Sequence, residues 1–292
     1  MDKDTTKQPP TLPKTEGELM EIRNKEVSTP FHSTKKEPTV ISMTDGVLIP
    51  KKGNKHLVTS WRLTFFGAVI LLVCLCAFEP DTYWKIFKYT ITGIPTTFEC
   101  TIFAILGAVL IGTITGVGSS SKNRVINQIC GVYVELIRGI PLLVQLMFLY
   151  YALGSLIHIE GIVAAIIALS ICFGAYMGEI IRAGIQSIPK GQVEAATALG
   201  LSKSQAFFSV ILPQTIKVVL PAIGNEFISM LKDSSLVSIL ALSDILKRGR
   251  EYISRTFLSL QTMLVVALIY LILTLILSRL VGFMEERLHK NG

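Results

Sequence analysis

Residues 189–214 read PKGQVEAATALGLSKSQAFFSVILPQ, a polar, helix-prone insert set between two long apolar runs. Pro189 suits a first helical turn, where its missing N–H costs nothing, and Ser187 just upstream is a candidate cap. Gly200 suits the left-handed residue with which many helices end. The spacing therefore predicts one short helix over 190–199. Ser202 followed three residues later by Gln205 makes a capping box for a second helix running toward Val210, and Pro213 is expected to close the unit before the next apolar run. On the first helix Val193, Ala196 and Thr197 share a face with Gly200, small side chains that let another surface approach closely, and Glu194 adds a fixed charge. From these features alone, an amphipathic helix that merely joins its neighbours stays open as an alternative.

The rest of the chain explains why a polar insert is unusual here. Half of the 292 residues are hydrophobic, 17% are charged and the mean hydropathy is +0.55, a composition that belongs in a bilayer. Residues 63–78, 100–121, 139–159, 161–178 and 256–278 contain no Asp, Glu, Lys or Arg, and most are long enough to cross about 30 Å of hydrocarbon. A sixth run, 216–240, is interrupted by Glu226, Lys232 and Asp233. It is counted as a span because the insert and the basic C-terminus need a crossing between them to share a side. The fold class is an all-α membrane protein.

Residues 1–60 scatter Lys, Glu, Pro and Thr without an apolar period and read as a disordered cytoplasmic tail. Residues 61–90 supply a first span and its outer loop. Lys51, Lys52, Lys55 and Arg62 crowd the entrance to that span, which puts the N-terminus inside by the positive-inside rule. Alternation then puts Lys122, Arg124, the insert and the C-terminus inside. It puts Lys247, Arg248, Arg250 and Arg255 outside, against the rule, and an interfacial helix with snorkelling side chains would accommodate them. The net charge of +7 is explained by cytoplasmic cations and implies no nucleic acid. The five cysteines, Cys74, Cys76, Cys100, Cys130 and Cys172, form no metal-ligand spacing and lie in or beside apolar runs, so neither metal nor disulfide is expected.

Ionisable groups inside a span cost roughly 2.5–3.5 kcal/mol each and are functional candidates by default. Glu226 and Asp233, seven residues apart, share a helix face with Ser229 between them, while Lys232 points about 100° away. Together they could meet a zwitterion, ammonium to carboxylate and carboxylate to Lys232. Ion pairs with Arg138 or Arg182 on other helices explain them equally well. Glu135 with Arg138, and Glu179 with Arg182, have the i, i+3 spacing of intrahelical pairs, and Gly139 with Pro141 should bend their helix. No phosphate-binding loop occurs: 116–122, GVGSSSK, has the wrong spacing and lacks Ser or Thr after its lysine.

Glu194-Ala195-Ala196, three residues, Gly200, nine residues and Val210-Ile211-Leu212-Pro213 resemble the EAA loop of the membrane subunits of ATP-binding cassette (ABC) importers, with Val210 where isoleucine is usual. Further stretches are similar to the polar amino acid uptake permeases of that class. They are Tyr133-Val-Glu-Leu-Ile-Arg-Gly-Ile-Pro-Leu-Leu-Val-Gln145, Ala175-Tyr176 with Glu179 and Arg182, Ile188-Pro-Lys-Gly-Gln192, and Leu231-Lys-Asp-Ser-Ser-Leu236. The resemblance implies a five-helix type I importer core over 91–292 plus one extra N-terminal transmembrane helix. It implies that the EAA loop, 187–213, carries the coupling helix that docks on a separate cytoplasmic ATPase subunit through Gly191, Glu194, Ala195, Ala196 and Gly200. It implies that ATP and magnesium are bound by that partner and not by this chain, and that the other partners are a second permease copy or homologue, an extracytoplasmic substrate-binding protein and an amino acid. The pathway set is then Glu226, Ser229, Lys232, Asp233 and Ser234. The rival is an ATP-independent carrier or channel, which would need no coupling helix.

Overall fold

The computed structural model describes residues 59–153, 160–240 and 242–290; the expected tail, 1–58, lies outside them. Helix α1 is Ser60–Phe78. A π-turn, Pro80–Trp84, leads into α2, Lys85–Thr90, and a short 3-10 turn opens onto α3, Ile94–Ser119. Helix α4, Arg124–Gly139, is followed by α5, Leu142–Met147, which continues as a π-helical turn to Leu153. Next come α6, Gly161–Gln186, and α7, Lys190–Ala198. Helix α8, Lys203–Ala206, runs through a π-turn into α9, Leu212–Asp233, and a 3-10 stretch to Leu240. Helices α10, Ile245–Thr256, and α11, Ser259–Lys290, end the chain. Among the described residues five helical stretches are long and apolar enough to cross a membrane, and the bent α4–α5 pair makes a sixth.

Between lipid-facing helices there is little apolar surface to gain by association, so close backbone approach decides which helices pair. Ala104, Ala108, Gly112 and Gly116 recur every four residues along α3 and all are buried. They lie against Ser170, Met177, Gly178 and Ile181 of α6: a Cβ on Gly112 would run into Met177, and one on Gly116 would sit 2.7 Å from the Gly178 carbonyl oxygen. The Ser170 hydroxyl donates to the Ala104 carbonyl at 3.1 Å. Residue numbers rise together along this seam, so α3 and α6 are parallel. Gly184 of α6 meets Val219, and Gly161 lies near Leu240, so α9 runs antiparallel to α6. Gly224 of α9 meets Val281 of α11, and the Trp61 indole donates to the Leu275 carbonyl, which ties α1 along α11.

These contacts define two ends. One, the insert end, holds the α3–α4 turn, residues 187–211 and the end of α11. The far end holds residues 79–93, the start of α6 and α10. There Asp244, fully buried, caps α10 by accepting from Leu246 N (3.1 Å) and Lys247 N (3.0 Å). The Tyr270 hydroxyl donates to it at 3.4 Å, and the Asp244 backbone occupies the space a Cβ on Gly93 would need. Burial pushes the Asp244 carboxyl up to about 6, partly offset by the backbone N–H donors. The basic cluster expected outside is indeed a helix, α10, whose Ile245 and Gly249 are buried. Arg248 pairs with Glu251 at 3.2 Å, Glu251 accepts from the Tyr89 hydroxyl at 3.0 Å, and Arg248 and Arg255 both rest over the Tyr89 ring. That local neutralisation offsets part of the cost of placing cations there.

Candidate functional site

The insert folds as its residues dictate, with two corrections. Helix α7 ends in a Schellman motif: Gly200 has φ +80°, Leu201 N donates to Ala196 O at 3.1 Å and Gly200 N to Thr197 O at 2.9 Å; this is the arrangement glycine makes cheap. Ser202 and Gln205 form the reciprocal capping box. Ser187, however, does not cap α7; its hydroxyl donates to the Gly184 carbonyl at 2.8 Å, one turn back in its own helix, and α7 starts at Pro189 without a side-chain cap. Nor does Pro213 close the unit. It lies in the first turn of α9, and the π-turn Phe207–Ile211 widens the preceding backbone where proline removes a donor and crowds the carbonyl four residues earlier. The second helix of the insert is thus the continuous start of a span.

That continuity makes the insert a lever. Helix α7 rests on residues 203–211, and Ala196 is its one buried residue, 3% exposed. Ala196 therefore faces this chain, while Gly191, Glu194, Ala195 and Gly200 are exposed. Leu199 is 82% exposed, an apolar side chain on an otherwise polar loop. Its place beside the helix-ending glycine is the sequence signal for it.

The break after α4 is sharper than a kink. The axes of α4 and α5 differ by 98°. Ile140 is extended (φ −105°, ψ 129°), as a residue before proline must be. The carbonyls orphaned by the break are taken by Gln145, whose side-chain amide donates to Ile137 O at 2.7 Å and Ile140 O at 2.8 Å. Gln145 is a structural determinant that the spacing arguments did not single out.

The expected intrahelical pairs are half right. Glu179 pairs with Arg182 at 3.6 Å, but Arg138 crosses from α4 to Glu179 of α6 and stacks on Tyr176, so it does not pair with Glu135. The crossing is favoured because one carboxylate serves two guanidinium groups and pins α4 to α6. Glu135 makes no ion pair or hydrogen bond among the described residues. With both arginines on Glu179, they do not neutralise the charges of α9. Lys232 and Asp233 end α9 exposed and without an ion pair among the described residues, Ser229 and Glu226 are half-buried, Glu226 being engaged, and Ser234 is buried, donating to Leu231 O at 2.8 Å. Glu226, Ser229, Lys232 and Asp233 thus fall within the last eight residues of α9, at the end away from the insert, and Ser234 opens the 3-10 stretch that follows.

A helical bundle with a stiff lever at one end, and charges exposed on a span, defines a class: a membrane permease subunit built to work with other subunits. Residues 108–290 match the family model of binding-protein-dependent transport system inner membrane components. The chain is 34% identical over 214 residues to the glutamine transport system permease protein of Escherichia coli K12, which covers 72% of this chain and 98% of that protein. It is 36% identical over 215 residues to the L-cystine transport system permease protein of Bacillus subtilis 168, covering 72% and 89%. A crystal structure of an amino acid ABC transporter with histidines superimposes with a TM-score of 0.66 at 38% identity, over 72% of this chain and 97% of that one. The inward-facing MetNI methionine transporter shares the fold, with a TM-score of 0.56 at 20% identity. The chain belongs to the family of binding-protein-dependent transport system inner membrane components. It is accordingly a multi-span inner-membrane subunit of an ABC importer and not the ATPase, and helix α1 precedes the part that the family model matches.

Proposed function

We propose that this chain forms the amino acid pathway of an ATP-driven importer, with the insert end in the cytoplasm and α7 docked on a separate ATPase that binds ATP and magnesium. The observation that carries this reading is the exposure of Glu194, Ala195 and Leu199 on and just after a helix that packs on residues 203–211, the segment leading into α9. A push on α7 is delivered through residues 203–211 into α9 and along that helix, which continues past Pro221 to Lys232 and Asp233. Exposed charges on a span are untenable against lipid, so the Lys232–Asp233 end of α9 faces a second permease copy or homologue and the aqueous path between them. An extracytoplasmic binding protein delivers substrate to the far end. The N- and C-termini are cytoplasmic, the first placed by Lys51, Lys52, Lys55 and Arg62. Residues 1–60 form a tail, 61–90 an added span and 91–292 the permease domain.

The test is a charge reversal. Glu194→Lys in the reconstituted importer should leave membrane insertion intact and abolish both ATPase attachment and uptake of the amino acid. Uptake that survives the substitution, or accumulation by vesicles holding this chain alone, would instead support the carrier reading.

A further inference from the structure

A polar cleft of about 320 Å³ opens between α4 and α6 at the insert end, lined among others by Ser119, Asn127, Glu135, Glu179, Arg182 and Gln186. Its size is at the lower end of ligand cavities, roughly 300–1,000 Å³. The helical period of α4 builds one wall. Val125, Ile129, Val132 and Leu136 are exposed and apolar on one side, whereas Asn127, Gly131 and Glu135 fall on the opposite side and line the cleft. Gly131 has open space where a side chain would be. The opposite wall includes Gly178, but a side chain there would run into Thr115 of α3, so the open space is the one left by Gly131 on α4.

Charge within the cleft is unevenly satisfied. Glu179 accepts from Arg138 and pairs at 3.6 Å with one terminal nitrogen of Arg182, whose other terminal nitrogen donates to Gln186 at 3.2 Å. Glu135 alone is left without a partner among the described residues. Arg182 approaches Glu179 only at 3.6 Å, too far for a hydrogen bond, so that nitrogen can donate to a second carboxylate. The guest that answers both ends is one carrying an ammonium and a carboxylate on the same carbon. It adds no net charge, whereas a simple cation or anion would leave Glu135 or the arginines unbalanced.

We infer that this cleft is a second amino acid station, separate from the α9 charges, in which Glu135 takes the α-ammonium and Arg182 the α-carboxylate of a solute leaving toward the cytoplasm. It rests on the amino acid pathway proposed above. Recognition is confined to the backbone groups of the solute, so the station is indifferent to its side chain. Gln186 lies four residues before the start of α7, so occupancy of the station abuts the root of the lever.

The experiment uses the nucleotide-free complex of permease and ATPase in micelles, without the binding protein, and the twenty common L-amino acids as probes in thermal-shift and calorimetric titrations. Amino acids with unlike side chains should bind with similar affinity, and their methyl esters and N-acetyl derivatives should not. Glu135→Gln, which keeps shape and removes the charge, should weaken binding about tenfold or more, the scale of one charged hydrogen bond, with the unliganded melting temperature unchanged. Binding that is unaltered in Glu135→Gln but lost in Asp233→Asn would put the amino acid at α9 and overturn the inference, as would no binding by the parent complex. If the complete parent importer fails to take up any amino acid, it is the proposed function that fails.

Discussion

Replacing Gln145 with methionine should unfasten the break between α4 and α5. The substitution keeps length and apolar bulk, so the cavity term is small, but it removes the amide that donates to Ile137 O and Ile140 O at 2.7 and 2.8 Å. Gln145 is 7% exposed, and hydrocarbon offers no water to replace it. A carbonyl left unpaired in such a setting costs about 1–3 kcal/mol. Two of them, with Ile140 partly exposed, set an expected loss of about 2–4 kcal/mol. The assay is unfolding in mixed micelles with increasing denaturing detergent, followed by helicity, with Val144→Met as the control because Val144 is exposed. Uptake by the assembled importer should fall in parallel, since the 98° turn sets where α5 points. If Gln145→Met unfolds at the same detergent fraction as the control, the two hydrogen bonds do not hold the break and this account of the bend is wrong.

Gly116→Val should cost about 2–3 kcal/mol by overpacking the α3–α6 seam, and the same unfolding titration reads it; an unchanged midpoint would mean that the helices separate without loss. Asp244 carries a pH signature. Its folded value of about 6 lies above its ordinary 3.8, so the folded state holds the proton more tightly. Its contribution is complete below about pH 4 and is lost as pH rises through 6, a change of roughly 3 kcal/mol. Asp244→Asn, still able to accept at the α10 cap, should flatten that slope in thermal unfolding between pH 4 and 7, and an unaltered slope would assign it to another group. Leu199→Asp should reduce recovery of the ATPase with the purified permease while leaving detergent unfolding within about 0.5 kcal/mol, as expected of an exposed site; normal recovery would remove Leu199 from the docking face.

Much of this protein is written locally. Apolar run lengths specified five of the spans, whereas the run 139–159 begins at a 98° bend and belongs to a broken pair that starts at Arg124; Gly200, Ser202 and Gln205 specified the elbow of the insert, because caps and left-handed turns depend on a few neighbouring residues. The spacing of Glu194, Gly200 and Pro213 was enough to suggest the importer resemblance. What lay beyond the sequence depends on partners far apart along the chain. Local spacing offered Arg138 to Glu135, but packing of α4 on α6 gave it to Glu179, which left Glu135 unpaired in a cleft. Ala196 matched a partner-facing pattern, yet α7 folds back on residues 203–211 and buries it. Pro213 read as a stop, but a π-turn let the helix pass through it. The small residues at 104, 108, 112 and 116 acquire their meaning only from the meeting with Met177 and Gly178, which shows which helix they receive. Periodicity and capping are satisfied within one or two turns and are legible residue by residue; ion-pair choice and helix docking compare alternatives across the whole bundle, and only the tertiary arrangement ranks them.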